Sequence, residues 1–161
     1  MNTLIILLAK YLYLVIILIA GIYFFRASIG RKKEIAWLGA IALPLSYLAA
    51  KISSLVYFDP RPFVVGHFTP LITHVADNGF PSDHTLISAA VASVVFAYNK
   101  TLGAVLIILA LIVGVARVLA GVHHIVDVLG SIVIAAIVTT FVYHFIIPKI
   151  KQHQVIENQI L

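Results

Sequence analysis

Cysteine is absent from the chain, which excludes disulfides, thiol nucleophiles and zinc–thiolate sites. Charge is scarce too. Asp, Glu, Lys and Arg together make up 11% of 161 residues, with 6 acidic side chains against 11 basic ones. The basic residues form no long run, so the net charge of +5 is not that of a nucleic-acid-binding surface. They sit between apolar segments, the pattern of membrane topology and contact with anionic lipid. There is no internal repeat and no low-complexity tract, and one domain over residues 1–161 is the simplest organisation.

Apolar residues, by contrast, reach 62%, with a mean hydropathy of +1.10. A water-soluble domain holds about half apolar residues, and a chain this short cannot bury the excess. The expected fold class is therefore all-α, a polytopic transmembrane helix bundle of about five spans. These are Thr3 to Phe25, Ile35 to Tyr57, Asp83 to Tyr98, Leu102 to Leu119 and His124 to Ile147. Asp83 to Tyr98 is near the lower limit for crossing, since a spanning helix takes roughly 17 to 25 residues. The first span lacks the basic start and the short apolar region of a cleaved signal. Asn99-Lys100-Thr101 is long enough only for a tight hairpin.

Basic residues orient these spans. Arg26, Arg31, Lys32 and Lys33 lie in the first connection, Lys100 in the third, and Lys149 and Lys151 after the last span. With five spans all three sites share one side, which the positive-inside rule assigns to the cytoplasm together with the C-terminus. The Phe58 to Phe80 connection and the Ala120 to His123 turn then face outward, carrying Arg61 and Arg117 against the rule. Such exceptions point to function. Lys10 is expected to snorkel from its span, and Tyr11, Tyr13, Trp37, Tyr98 and Tyr143 to anchor at the interfaces. Glu34 belongs with the basic cluster as a topology signal. His67 and His74 are loop histidines, and His144 and His153 belong to the cytoplasmic end.

The outer side gathers most of the ionisable residues: Asp59, Arg61, Asp77, Asp83, His84, Arg117, His123, His124 and Asp127. Two arginines brought close need an anion between them, and a guanidinium fork suits phosphoryl oxygens. Pro81-Ser82-Asp83-His84 opens the third span, combining an anion-binding helix N-terminus with a hydroxyl and an imidazole. Taken alone it also reads as an ordinary capped helix. His123 and Asp127 are four residues apart and His124 and Asp127 three, so helical geometry lets either histidine meet the carboxylate.

These residues resemble the motifs of the type 2 phosphatidic acid phosphatase superfamily, which includes vanadium haloperoxidases. Its motifs K-x6-R-P, P-S-G-H and S-R-x5-H-x3-D correspond to Arg61-Pro62, to Pro81-Ser82-Asp83-His84, and to Arg117, His123 and Asp127 at the full spacing. From Lys51 to Asp127 they cover about half of the chain. Three positions depart. Lys51 lies ten residues before Arg61, whereas the motif has lysine seven before, where Ser54 stands here. Ala116 replaces the serine before Arg117. Asp83 replaces the glycine, as in bacitracin-resistance-type undecaprenyl pyrophosphate phosphatases, and puts a carboxylate near bound phosphate. Five spans are one fewer than the family's usual six; the missing one would be N-terminal and carries no motif.

The resemblance implies a haloperoxidase-like core and a metal-independent lipid phosphatase with no cofactor. In it His123 is the nucleophile, Asp127 its partner and His84 the acid and base, while Arg61, Arg117, Ser82, Lys51 and Asp83 line the phosphate site. The implied substrate is a membrane-borne lipid phosphate or diphosphate. The implied reaction is undecaprenyl pyrophosphate to undecaprenyl phosphate at the extracytoplasmic face of the plasma membrane, in lipid carrier recycling for cell wall biogenesis and in bacitracin resistance. Phosphatidylglycerophosphate or phosphatidate is the alternative substrate. A metal hydrolase using His84, His123, His124 and Asp127, and a small transporter with an ionisable pathway, are the readings of other classes.

Overall fold

Backbone groups in a bilayer must be satisfied within the chain, so long apolar runs fold as helices. The computed structural model describes residues 1–152; His153 and the end of the expected single domain lie outside the described residues. α1 (Asn2–Arg26) contains one charged residue, Lys10, before its closing arginine. The Ser28 hydroxyl then accepts from Arg31 N at 3.4 Å and opens α2 (Ile29–Val56). The second helix thus starts six residues before the expected Ile35. Its first turns carry Arg31, Lys32 and Lys33, because the helix outlasts the apolar layer once a cap is available. Pro44 lies inside α2.

After a one-turn helix, α3 (Pro62–Val65), come α4 (Asp83–Tyr98), α5 (Lys100–Leu119) and α6 (Ile125–Phe141). The chain continues through a π-helical turn, Val142–Ile146, into a last helical stretch, so that Ile125–Gln152 forms one long rod. α1, α2, α5 and this rod are each long and apolar enough to cross a membrane. α4 has 16 residues, about 24 Å of helix. It packs against α1, α2, α5 and α6, burying Ser88, Ala89, Ala90 and Ala92. These small side chains let four neighbours approach, so the shortest of the five bundle helices is also the most enclosed. Large apolar side chains such as Leu18 and Ile137 stay exposed on the outer helices, as a bundle solvated by lipid requires.

The α4–α5 hairpin is tighter than expected. Asn99 alone links the helices, and its Oδ1 accepts from Leu102 N at 3.0 Å. Gly103 then faces α4 so closely that a Cβ would lie 2.2 Å from Phe96 Cα. At the same end Tyr98 and Tyr143, expected as interfacial anchors, are half-buried against each other with ring centroids 5.7 Å apart. Tyr98 donates to Glu34 O at 3.1 Å, and Lys151 Nζ donates to the Glu34 carboxylate at 2.6 Å. At the opposite end Ala9, Ile72, Ala116, Ala120 and Val122 cluster, and Leu71 N donates to Ala120 O at 3.0 Å. The long connection is thereby folded down over the ends of α1 and α5.

The Gly103 contact is testable. Gly103→Ala is expected to lose about 1–3 kcal/mol through overpacking. Gly39→Ala, where a Cβ meets nothing within 4 Å, should be neutral or slightly stabilising. Thermal unfolding in detergent compares them, and equal shifts would contradict the close packing.

Candidate active site

At the loop-covered end the last turn of α5 supplies Arg117, the following turn His123, and the first turn of α6 Asp127. Gly121 shapes that turn with φ +79°, a conformation that suits glycine. His123 Nδ1 lies 3.2 Å from Asp127 Oδ2, which also accepts from His124 N at 2.8 Å. His123 Nε2 lies 3.4 Å from Arg117 Nη2 and 3.4 Å from Arg61 Nη1. Guanidinium groups only donate, so Nε2 faces them as an acceptor and Nδ1 carries the proton toward Asp127. Burial holds the His123 pKa below the ordinary histidine value; the hydrogen bond that its Nδ1 donates to Asp127 opposes this, and the charges of Arg117 and Arg61 reinforce it.

Arg61 reaches this place from the N-cap position of α3, 62 residues before His123. Its Nε donates to Asp77 Oδ1 at 2.7 Å, Nη1 to Val122 O at 2.8 Å and Nη2 to Asn78 O at 3.3 Å. Burial alone would raise the Asp77 pKa, but the hydrogen bond and charge of Arg61 outweigh it and hold the carboxyl below its ordinary value. His74 sits with its ring centroid 6.1 Å from that of His123, and burial followed by the charge of Arg61 lowers its pKa.

The N-terminus of α4 abuts the same centre. Ser82 is fully buried, its N–H donates to Asp127 O at 3.3 Å, and its hydroxyl accepts from Thr85 at 3.1 Å. Ser131 Oγ donates to Ser82 O at 2.9 Å, tying α6 to the start of α4. The His84 ring makes no hydrogen bond among the described residues and lies edge-on to Tyr13 with centroids 4.9 Å apart. It lines an apolar cleft of about 290 Å³ between α1, α2 and α4, together with Leu43, Tyr47, Leu86 and Ile87. Lys51 and Asp83 line a smaller polar cavity of about 180 Å³ with Ser54, Arg61 and Asn78. The Lys51 ammonium stands 5.0 Å from the Tyr47 ring centroid. Arg61, Ser82, Arg117, His123 and Asp127 thus form one buried group, with His84 on its lipid side and Lys51 and Asp83 on a polar flank.

His124, the other histidine of the pair, turns away from the arginines. Its Nδ1 lies 2.9 Å from Asp59 Oδ2. Burial and then the charge of Asp127 raise the Asp59 pKa, opposed by His124. Ligand atoms of Asp59, His124 and Asp127 fall within 4.8 Å of one another, the one metal-compatible group among the described residues. It includes neither His84 nor His123, so the metal set expected as an alternative is not brought together. Two guanidinium groups beside His123 also disfavour a cation there.

Asn78, which none of the sequence motifs includes, holds the connection together. Its Oδ1 accepts from Asp59 N at 2.9 Å and Phe80 N at 3.0 Å; its Nδ2 donates to Ser54 O at 3.0 Å and Tyr57 O at 2.9 Å. One side chain thereby joins the end of α2 to both strands of the connection. The Asn-Gly pair was the available signal, and Gly79 follows because a Cβ there would lie 3.0 Å from Asp127 Oδ2.

The PAP2 superfamily profile matches residues 8–151. Undecaprenyl-diphosphatase BcrC of Bacillus subtilis is 41% identical over 107 residues, covering 66% of this chain and 53% of that protein. The chain therefore spans about half the length of this relative. A protein of Bacillus licheniformis named bacitracin transport permease protein BcrC is 26% identical over 152 residues, 94% of this chain and 74% of the relative. Among solved structures, Aquifex aeolicus LpxE superposes with a TM-score of 0.70 at 23% identity, covering 87% of this chain and 83% of that one. That likeness concerns the fold of a multi-pass helix bundle.

Asn78→Ala removes four hydrogen bonds, each contributing about 0.5–1.5 kcal/mol. Protease cleavage within residues 58–80 is expected to rise by at least about tenfold, the equivalent of 1.4 kcal/mol, with little change in helix content. Unchanged cleavage would mean that the connection is held by other contacts.

Proposed function

Because this chain belongs to the PAP2 superfamily, we propose that its buried His123 centre hydrolyses the terminal phosphate of a prenyl diphosphate, converting undecaprenyl pyrophosphate to undecaprenyl phosphate. The observation that carries the reading is a neutral imidazole nitrogen held 3.4 Å from two guanidinium groups, with a carboxylate behind the ring. That set matches a nucleophile aimed at a phosphoryl group whose oxygens the arginines hold. The B. subtilis relative's name supplies the substrate class.

In this reaction His123 Nε2 attacks the terminal phosphorus, and the bond from phosphorus to the bridging oxygen breaks. His84 gives its proton to that oxygen, and lipid monophosphate leaves. Asp127 balances the charge growing on the imidazole, while Arg61, Arg117 and the N–H groups at the start of α4 hold the equatorial oxygens. Ser82, buried beside Asp127, keeps this helix start in place. Water then gives a proton to His84 and attacks the phosphohistidine; the P–N bond breaks and orthophosphate is released. The arginines supply the charge neutralisation that a metal provides in other phosphatases. Lys51 reaches the polar flank from one turn earlier in α2 than the motif lysine, and meets phosphate oxygens from the side of Arg61. Asp83 shares that cavity and offsets the arginine charge when the site holds no phosphate.

The cleft beside His84 suits the first isoprene units of the substrate, since it opens from the catalytic end between lipid-facing helices. The positive-inside distribution supports an outward-facing site in the plasma membrane, with the basic ends of the helices in the cytoplasm. A permease, as the B. licheniformis relative is named, needs polar groups through the middle of the bilayer; the ionisable groups around His123 gather at helix ends instead.

Purified protein is expected to release orthophosphate from undecaprenyl pyrophosphate in excess chelator. His123→Ala should lose on the order of 10⁴-fold or more in kcat, whereas His124→Ala should retain the reaction. An active His123→Ala variant overturns the assignment. The pH profile adds a second check. The nucleophile must be neutral and its pKa is depressed, so kcat/KM should fall with acid only below the ordinary histidine value of about 6.5. Arg61→Gln removes a neighbouring cation and should move that acid limb upward, alongside its loss of rate. A limb that stays put or moves down in Arg61→Gln contradicts the proposed contact.

A further inference from the structure

The far end of the bundle holds another cavity, largely apolar but edged with polar side chains, and nothing in the phosphatase reaction uses it. It has a volume of about 400 Å³ and lies between the end of α4, the first half of α5, and the end of α6 with the π-turn that follows it. Lys100, His144, Tyr143, Ser93, Thr139 and Thr140 contribute its polar groups. Ile107 and Lys100 both line it, seven residues apart on one helix, so it extends about 10 Å along the bundle. Lys100, Thr140 and His144 are exposed, which opens the cavity to the outer surface at the level where α5 begins.

Three features mark it as built for a ligand. First, Thr139 lines the cavity at 3% exposure, and its Oγ1 has no hydrogen-bond partner. A helical threonine ordinarily donates to the carbonyl one turn back. Second, the rod departs from α-helical geometry at this point. The π-turn Val142–Ile146, in which Ile147 N donates to Val142 O, inserts an extra residue per turn and carries Tyr143 and His144 to the cavity wall. Such insertions occur frequently at functional sites. Third, the charge here is one-sided. Lys100 Nζ stands 4.2 Å from the Phe96 ring centroid and pairs with no carboxylate among the described residues. Glu34, the described carboxylate of this end, is already bonded to Lys151 and Arg31.

We propose that this cavity binds the phosphate-bearing headgroup of an anionic phospholipid from the leaflet opposite His123. Lys100 and His144 would meet the phosphate, and the hydroxyls of Ser93, Thr139, Thr140 and Tyr143 would bond its ester and glycerol oxygens. The apolar floor made by Ile107, Ala136 and Phe96 receives the first acyl carbons. Lipid phosphate is favoured over a soluble anion because the cavity opens sideways among exposed apolar residues such as Ile108 and Ile137. The proposal is independent of the reaction at His123.

Native mass spectrometry of the full chain in detergent, titrated with phosphatidylglycerol or phosphatidylcholine, tests it. Wild type is expected to retain phosphatidylglycerol at least about fivefold better. Lys100→Gln with His144→Ala should abolish that preference while phosphate release at the other end stays within about twofold. Lys149→Gln removes an exposed positive charge of the same end outside the cavity and should leave the preference intact. Equal retention of the two lipids by wild type, or an undiminished preference in the double variant, overturns the proposal. So does a loss in Lys149→Gln as large as in the double variant, which would assign the preference to general surface charge. Displacement of the lipid by millimolar inorganic phosphate would assign the cavity to a soluble anion and likewise overturn it.

Discussion

Two guanidinium groups and one carboxylate are buried around a single imidazole at the end of this bundle, and the cost of burying them governs everything nearby. A buried charge is tolerated only when paired and hydrogen-bonded. Arg61 meets this condition through Asp77, Val122 O and Asn78 O, and Asp127 through His123 and the His124 N–H. The pairing is incomplete, since Arg117 Nε and Asp127 Oδ1 are buried without partners among the described residues. Positive charge therefore stays concentrated beside His123 Nε2, in surroundings where its field is weakly screened. An anion of matching shape is what such a field favours.

Helix ends and small residues satisfy that constraint. α4 and α6 begin at the centre, so their unpaired N–H groups point toward it, and α5 ends there. Ser131 Oγ donates to both Ser82 O and Asp127 O, which fixes the starts of two helices relative to each other. Gly79 and Gly114 remove side chains where Asp127 and Val128 approach, a Cβ at Gly114 falling 2.4 Å from Val128 Cγ1. Gly130 does the same for Phe80. The connection between α2 and α4 can then lie flat over the buried charges and exclude water from them.

The two ends of the molecule divide the electrostatic labour. Asp59, Asp77, Asp83 and Asp127 all lie near the centre, where they offset cations whose positions hydropathy would not favour. At the other end Arg26, Arg31, Lys32, Lys33, Lys100, Lys149 and Lys151 face one described carboxylate, Glu34. The first arrangement holds a buried site poised for an anion. The second leaves an exposed excess of positive charge, the feature on which the proposed orientation and the proposed lipid contact both rest.

Hydropathy alone determined the class of this protein, its five helical segments and their alternation, because the length of an apolar run is a local property. Resemblance to the family motifs picked out Arg117, His123 and Asp127, and with them Arg61, Ser82 and His84. Local pattern did not separate His123 from His124, since a helix allows either to meet Asp127. The family motif favoured His123, and the tertiary structure supplies the physical difference: Arg61, 62 residues away, comes to His123, while Asp59, 65 residues away, comes to His124. The same holds for Asn78, whose four bonds join segments that no periodicity relates, and for Tyr98, drawn inward by Glu34 O across 64 residues. The Ser28 cap was legible in principle but was hidden by the basic residues after it. Apolar periodicity reports what each segment must avoid, whereas the partner of a buried polar atom depends on how the helices pack, and only the assembled bundle decided that.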